Sequence, residues 1–166
     1  MLESVAITAV SAVTAFNDRG QILGRGFLPC SGLCTLSDSA VLVDTATGTM
    51  TGLTGSFGSG AVYGALDASG RLAGTATAYD ATGALVRSVV LRQPDGTVTT
   101  LAAPTLPAGA SKGLMARGLN ANGQIALQYT DGLDAVMPIC GDYRGWIGTG
   151  TGTTPWQALG GAGTLL

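Results

Sequence analysis

The sequence predicts an all-β protein assembled from three repeats of about fifty residues, each folding as two hairpins and so as four strands. Three observations predict it: a motif recurs at a near-constant spacing, glycine punctuates the chain at turn positions, and the apolar segments between those turns are short. Of 166 residues 27 are Gly, and charged residues make up only 11%. Long helices would instead draw on runs of Ala, Leu, Glu, Lys and Arg. An apolar content of 46% suffices for a buried core at this length and argues against disorder, which needs high net charge and low hydrophobicity.

The motif first appears as Val13-Thr-Ala-Phe-Asn-Asp-Arg-Gly-Gln-Ile-Leu-Gly24. It returns as Tyr63-Gly-Ala-Leu-Asp-Ala-Ser-Gly-Arg-Leu-Ala-Gly74 and as Ala116-Arg-Gly-Leu-Asn-Ala-Asn-Gly-Gln-Ile-Ala-Leu127. The equivalent glycines Gly20, Gly70 and Gly123 are 50 and 53 residues apart. Asn17, Asp67 and Asn120 each stand three residues before that Gly. Asn or Asp at the head of a turn bonds to the backbone two residues on, and Gly supplies the positive φ that closes a hairpin. The sharper reading, cation ligands, lacks the clustered oxygens that calcium requires.

A second landmark keeps the same rhythm. Ser39–Leu53 aligns with Ser88–Leu101, and a looser copy is Arg144–Leu159. Repeats of about 11–56, 57–106 and 111–160 therefore tile a single domain.

Taken in order, the chain begins with Leu2–Val10, where Val5, Ile7 and Ala9 alternate with other residues and predict a spare strand ahead of the first repeat. The second repeat reads most clearly. Strands are predicted over Ala61–Leu66, Arg71–Tyr79, Leu85–Arg92 and Thr97–Leu101, with turns at Asp67–Gly70, Asp80–Gly83 and Pro94–Gly96. The joints at 54–60 and 103–113 are rich in Gly, Pro and Ser and read as short loops that keep neighbouring repeats packed.

These residues resemble the bacterial extracellular repeats of the HAF type. That pattern runs apolar-Asn-x-x-Gly-x-apolar-apolar-Gly, then His-Ala-Phe-apolar, then Asp-Gly-x-x-x-x-Leu. The first part matches at Asn17, Gly20 and Gly24, at Asp67, Gly70 and Gly74, and at Asn120 and Gly123. The last part matches at Gly48 and Leu53, at Asp95, Gly96 and Leu101, and more loosely at Gly152 and Leu159. The middle element has drifted to Ser39-Ala40-Val41, Ser88-Val89-Val90 and Arg144-Gly145-Trp146. The resemblance implies four-stranded, β-propeller-blade-like repeats in a secreted or cell-envelope protein without an assigned activity. Three blades are half of a six-bladed ring, so two copies of the chain would close a propeller by dimerisation.

Composition removes several functions. A net charge of −2 with dispersed Arg residues gives no footprint for nucleic acid. No apolar run approaches the roughly 20 residues of a membrane helix. Met1-Leu-Glu-Ser-Val5 lacks the basic and apolar regions of a secretory signal, so the expectation is either a cytoplasmic chain or one from which a signal has been removed. With no His and one Lys, Lys112, most general bases are missing, and the expectation is a protein with neither catalytic activity nor a cofactor or metal. Gly109-Ala-Ser-Lys-Gly113 matches a nucleophile elbow only formally, because it has no flanking strand and helix and no His partner. Gly148-Thr-Gly-Thr-Gly152 opens no helix and so is no phosphate loop. Cys30 and Cys34 bracket three residues and form either a local disulfide, in an oxidising compartment, or free thiols, while Cys140 stands alone.

Asp142, Tyr143, Arg144 and Trp146 form the most chemically diverse segment, close to Asp131 and Asp134. Such residues stack on and hydrogen-bond glycans, small polar ligands or partner surfaces. The alternative places Trp146 in the core, at the position of Val41 and Val90, with Arg144 and Asp142 paired on the rim. The sequence thus predicts protein–protein interaction or assembly as the function, with a lectin-like ligand site as the alternative.

Overall fold

The computed structural model describes residues 10–28, 37–53, 61–83, 85–104, 114–130, 143–149 and 156–159. Among them there are strands and turns and no helix. The first sheet contains β1 (Val10–Phe16), β2 (Gln21–Leu28), β3 (Ser37–Asp44) and β4 (Thr49–Gly52). The second contains β5 (Val62–Leu66), β6 (Leu72–Tyr79), β7 (Leu85–Arg92) and β8 (Val98–Ala102), and the third β9 (Met115–Leu119), β10 (Gln124–Thr130), β11 (Tyr143–Thr149) and β12 (Gln157–Leu159). Each sheet is an antiparallel meander in chain order, and no sheet closes on itself into a barrel. The all-β reading holds, and the strands of the second repeat fall within a residue of their predicted limits.

The hairpin joining the first two strands of each sheet is built identically three times. Asn17 Oδ1 accepts the N–H groups of Arg19 (3.1 Å) and Gln21 (3.0 Å). Asp67 Oδ1 accepts those of Ser69 and Arg71 (both 2.9 Å), and Asn120 Oδ1 those of Asn122 and Gln124 (both 3.0 Å). Gly20, Gly70 and Gly123 then take φ of +74°, +87° and +79°, a region in which a Cβ would be strained. A bulge follows the same periodicity. Thr14, Gly64 and Arg117, each three residues before the turn Asn or Asp, are left out of the ladders of β1, β5 and β9.

Strand alternation sorts the apolar side chains into two cores, one between each pair of neighbouring sheets. On β7, Val90 turns to the first sheet, where it joins Leu23, Leu53, Tyr63, Leu66 and Leu72. Val89 and Leu91 turn the other way and pack with Ala65, Ala73, Leu101, Leu114, Ala116, Ile125 and Leu127. The central sheet is therefore buried on both faces, which is why Val89-Val90-Leu91 is a continuous apolar run rather than an alternating one. Each fully buried Leu, Ile or Val contributes about 1.5–3 kcal/mol, so the repeats hold together chiefly through these two seams.

The final Gly of the motif has a steric cause. On the first two sheets a Cβ at Gly24 would run into the carbonyl oxygen of Ala12, and one at Gly74 into that of Val62 (2.6 Å) and the Tyr63 ring (3.0 Å). These glycines lie opposite the large Val13 and Tyr63. The third repeat reverses the sizes, with Leu127 opposite the small Ala116. Volume at this pair is thus kept within a narrow range while its owner changes.

Candidate functional site

The first candidate is the row of three equivalent turns. The first two reach from their own repeat to the next. Asn17 Nδ2 donates to the Asp67 carbonyl oxygen (2.8 Å), and Arg19 Nη1 to that of Ser69 (2.7 Å). Fifty residues on, Arg71 Nη2 donates to the carbonyl oxygens of Asn120 (3.0 Å) and Ala121 (2.9 Å). Asp67 O and Asn120 O therefore accept twice, once from the glycine N–H of their own turn and once from the preceding repeat. Asn17 O has only the bond from Gly20 among the described residues.

The donors are held by a pair at each turn. Asn17 Nδ2 also donates to Gln21 Oε1 (2.9 Å), and Asn120 Nδ2 to Gln124 Oε1 (2.6 Å). In the second repeat the same two positions carry a salt bridge, Arg71 to Asp67 Oδ2. Asp67 is buried, with 4% of its surface exposed. Burial pushes its carboxyl up, but hydrogen bonds from Ser69 and Arg71 and the Arg71 charge outweigh this and hold it below the ordinary value of 3.8. The residue types at the positions of Arg19 and Arg71 vary from copy to copy, yet with Asn17 these side chains join one turn to the next.

Two further bonds tie the second and third repeats. Thr75 Oγ1 donates to the Leu114 carbonyl oxygen (3.0 Å) inside the seam, and Trp156 Nε1 donates to that of Ala102 (2.9 Å) while its ring packs on the core. No sequence signal marks Thr75. Trp156 stands out only as one of two Trp residues, and its place just before β12 would have located it at the sheet's outer end.

The second candidate is the β1 edge of the first sheet, on the face that also carries the buried Val41. Val13 pairs with Gly24 and Phe16 with Ile22 across β1 and β2. Their equivalents are Tyr63 with Gly74 and Leu66 with Leu72, then Ala116 with Leu127 and Leu119 with Ile125. In the second and third repeats these positions meet the preceding repeat, so that Tyr63 is 6%, Leu66 9% and Ala116 1% exposed. In the first repeat Val13 is 62% and Phe16 77% exposed.

The third candidate is a pocket of about 360 Å³ where the first strands of the three repeats approach one another. The bulge residues Thr14, Gly64 and Arg117 all line it, with Arg25, Val62, Tyr63 and Met115. Arg117 is oriented by a bond from its Nε to Gln128 Oε1 (2.7 Å). Arg25 and Arg117 both line this pocket. Burial pushes the Tyr63 phenol above its ordinary 10.0, an effect that the Arg92 charge offsets only in part. The bulge positions carry Thr, Gly and Arg, so nothing in the sequence brings them together.

Of the residues that the sequence singles out for ligand binding, Tyr143, Arg144 and Trp146 lie on β11, in register with Thr130, Tyr129 and Leu127 of β10. Asp142, Asp131, Asp134, Cys30, Cys34, Cys140, the loop 109–113 and residues 2–9 of the strand predicted over Leu2–Val10 lie outside the described residues, and Val10 opens β1. Among the described residues no three acidic or cysteine side chains converge as a metal-holding group would. No family model, curated protein or solved structure matches the chain.

Proposed function

We propose that this chain is a non-catalytic repeat protein that works by protein–protein interaction and assembly, through the ends of its stack of sheets. One observation carries the reading: on the face that meets the preceding repeat in the second and third sheets, the β1 residues Val13 and Phe16 of the first sheet are solvent-exposed, while Val41 on the same face is buried. Exposed apolar patches of this kind mark interaction sites. The likeness to HAF-type repeats supports a secreted or cell-envelope setting and a blade-like role for each sheet. A photo-crosslinking residue at Val13 is expected to capture a protein, and Phe16→Asp is expected to abolish capture while changing stability by no more than about 0.5 kcal/mol, as for other exposed positions. A Val13 probe that captures nothing, with the purified protein or in its own cells, would overturn the reading.

The pocket with Arg25 and Arg117 favours a second reading, binding of a small polar ligand such as an acidic sugar. The Arg117 guanidinium, oriented by Gln128 at the pocket wall, suits an anionic group. Here a panel of acidic and neutral glycans should give binding that Arg117→Ala weakens at least tenfold. Binding that survives this change, or no binding at all, would exclude the pocket.

A further inference from the structure

We propose that the pocket where the three first strands meet takes a single sugar ring bearing both a carboxylate and an acetamido group, with the carboxylate on Arg117 and the acetamido methyl against Val62 and Met115. The proposal rests on the second reading above and names the ligand class of that same pocket.

Equivalent positions of the three repeats build the pocket, but they carry unlike side chains. Thr14, Gly64 and Arg117 stand three residues before the turn Asn or Asp, and Ala12, Val62 and Met115 stand five before it. All of the nearer positions line the pocket, together with Val62 and Met115. The third repeat alone thus places a charge at the bulge, while the second and third add apolar surface beside it. Arg117 Nε donates to Gln128 Oε1 (2.7 Å), which fixes the plane of the guanidinium, and its Nη groups make no bond among the described residues. A fork held in this way takes a carboxylate through two parallel hydrogen bonds.

The apolar side of the pocket belongs to neither core. Val62 and Met115 are 55% and 42% exposed, whereas Tyr63 and Ala116, the next residues on their strands, are buried, and neither Val62 nor Met115 packs in the two seams. The volume of about 360 Å³ lies at the small end of the roughly 300–1,000 Å³ of small-molecule sites, which suits one ring with its substituents. A plain sugar acid would satisfy Arg117 but set hydroxyl groups against Val62 and Met115, where they lose water and gain no partner. A neutral sugar leaves the guanidinium without its anion. An acetamido methyl covers the apolar side instead, and each methyl so buried is worth about fourfold in affinity.

Sugars that differ only in the two groups test this by NMR titration: glucuronic acid, N-acetylglucosamine, and N-acetylglucosaminuronic acid, which carries both. The last is expected to bind the wild type tightest, about fourfold over glucuronic acid and about tenfold or more over N-acetylglucosamine. Val62→Thr/Met115→Gln exchanges two exposed side chains for polar ones of like shape. It is expected to leave glucuronic acid within about twofold of its wild-type affinity and to bring N-acetylglucosaminuronic acid down to the same value. Should the double variant fail to fold, Met115→Gln alone replaces it, with the preference expected to fall about twofold. Arg117→Ala is expected to weaken both acids about tenfold or more and to leave N-acetylglucosamine unchanged. Glucuronic acid that binds the wild type as tightly as N-acetylglucosaminuronic acid overturns the proposal, as does a preference that survives intact in the variants, and either leaves the pocket an anion site. If neither acid binds, or if Arg117→Ala changes nothing, the second reading falls as well.

Discussion

Replacing Asp67 by Ala is expected to destabilise the protein by about 3 kcal/mol at neutral pH, the cost of breaking a buried ion pair from one side. The carboxylate accepts bonds from the Ser69 and Arg71 N–H groups, the Ser69 hydroxyl and the Arg71 guanidinium, so truncation orphans four donors at once. It also frees the Arg71 side chain, whose Nη2 holds the third repeat. The other repeats show the remedy, since Asn17 with Gln21 and Asn120 with Gln124 build the same turn without charge. The double variant Asp67→Asn/Arg71→Gln should therefore recover most of the lost stability in urea denaturation, with the introduced amide donating to Asn120 O as Asn17 Nδ2 donates to Asp67 O. Acid gives the complementary test. Because the folded-state pKa of Asp67 lies below its ordinary 3.8, its contribution is complete above that value and is lost as pH falls through the lowered folded-state value. The gap between wild type and Asp67→Ala should narrow over that range. A gap that stays constant between about pH 7 and about pH 2 would show that the charge of Asp67 contributes nothing.

Gly64→Val is expected to cost about 3 kcal/mol, by a different route. A Cβ at Gly64 would overlap the carbonyl oxygen of Ala116, so β5 and β9 pass too close for any side chain there. The obstacle is backbone, which cannot rotate away, and the second and third sheets would have to separate. Hydrogen exchange should locate the damage: protection is lost at Leu114, Ala116 and Ile125 on the far side of the seam and retained at Leu23 and Leu42 in the first sheet. Gly48→Ala is the control. Gly48 has a φ of +69° but open space around it, so only backbone strain of about 1–2 kcal/mol applies. Equal costs for the two substitutions would mean that close approach of the strands is not what requires Gly64.

The two variants also mark the boundary of what the sequence discloses. Asn17, Asp67, Asn120 and their glycines are legible because an Asx turn is a local device, complete within five residues and repeated three times. The strands of the second repeat are legible for the same reason, since each abuts at least one such Gly-closed turn. Gly64 is not. Its equivalents are Thr14 and Arg117, and the need for Gly arises from Ala116, on a strand of the next repeat. Arg19 and Arg71 are hidden by their variability, because a side chain that reaches for a backbone carbonyl leaves no matching residue type to find. The period-two alternation of Val89, Val90 and Leu91 gives two faces, but only the stacking of sheets shows which repeat each face meets. Of the site, the exposed pair Val13 and Phe16 could be read only as ordinary motif positions until their counterparts were seen buried.

The turn-to-turn bonds carry a consequence for how such a chain changes length. In every one of them the donor is a side chain and the receiver a peptide oxygen, so recognition is written on one repeat and read by any successor with the same backbone. A duplicated repeat arrives with its acceptor already in place, whatever its spacer residues. Gain or loss of repeats thus requires no matched pair of mutations at this contact, and arrays of different lengths are within one genetic step of one another.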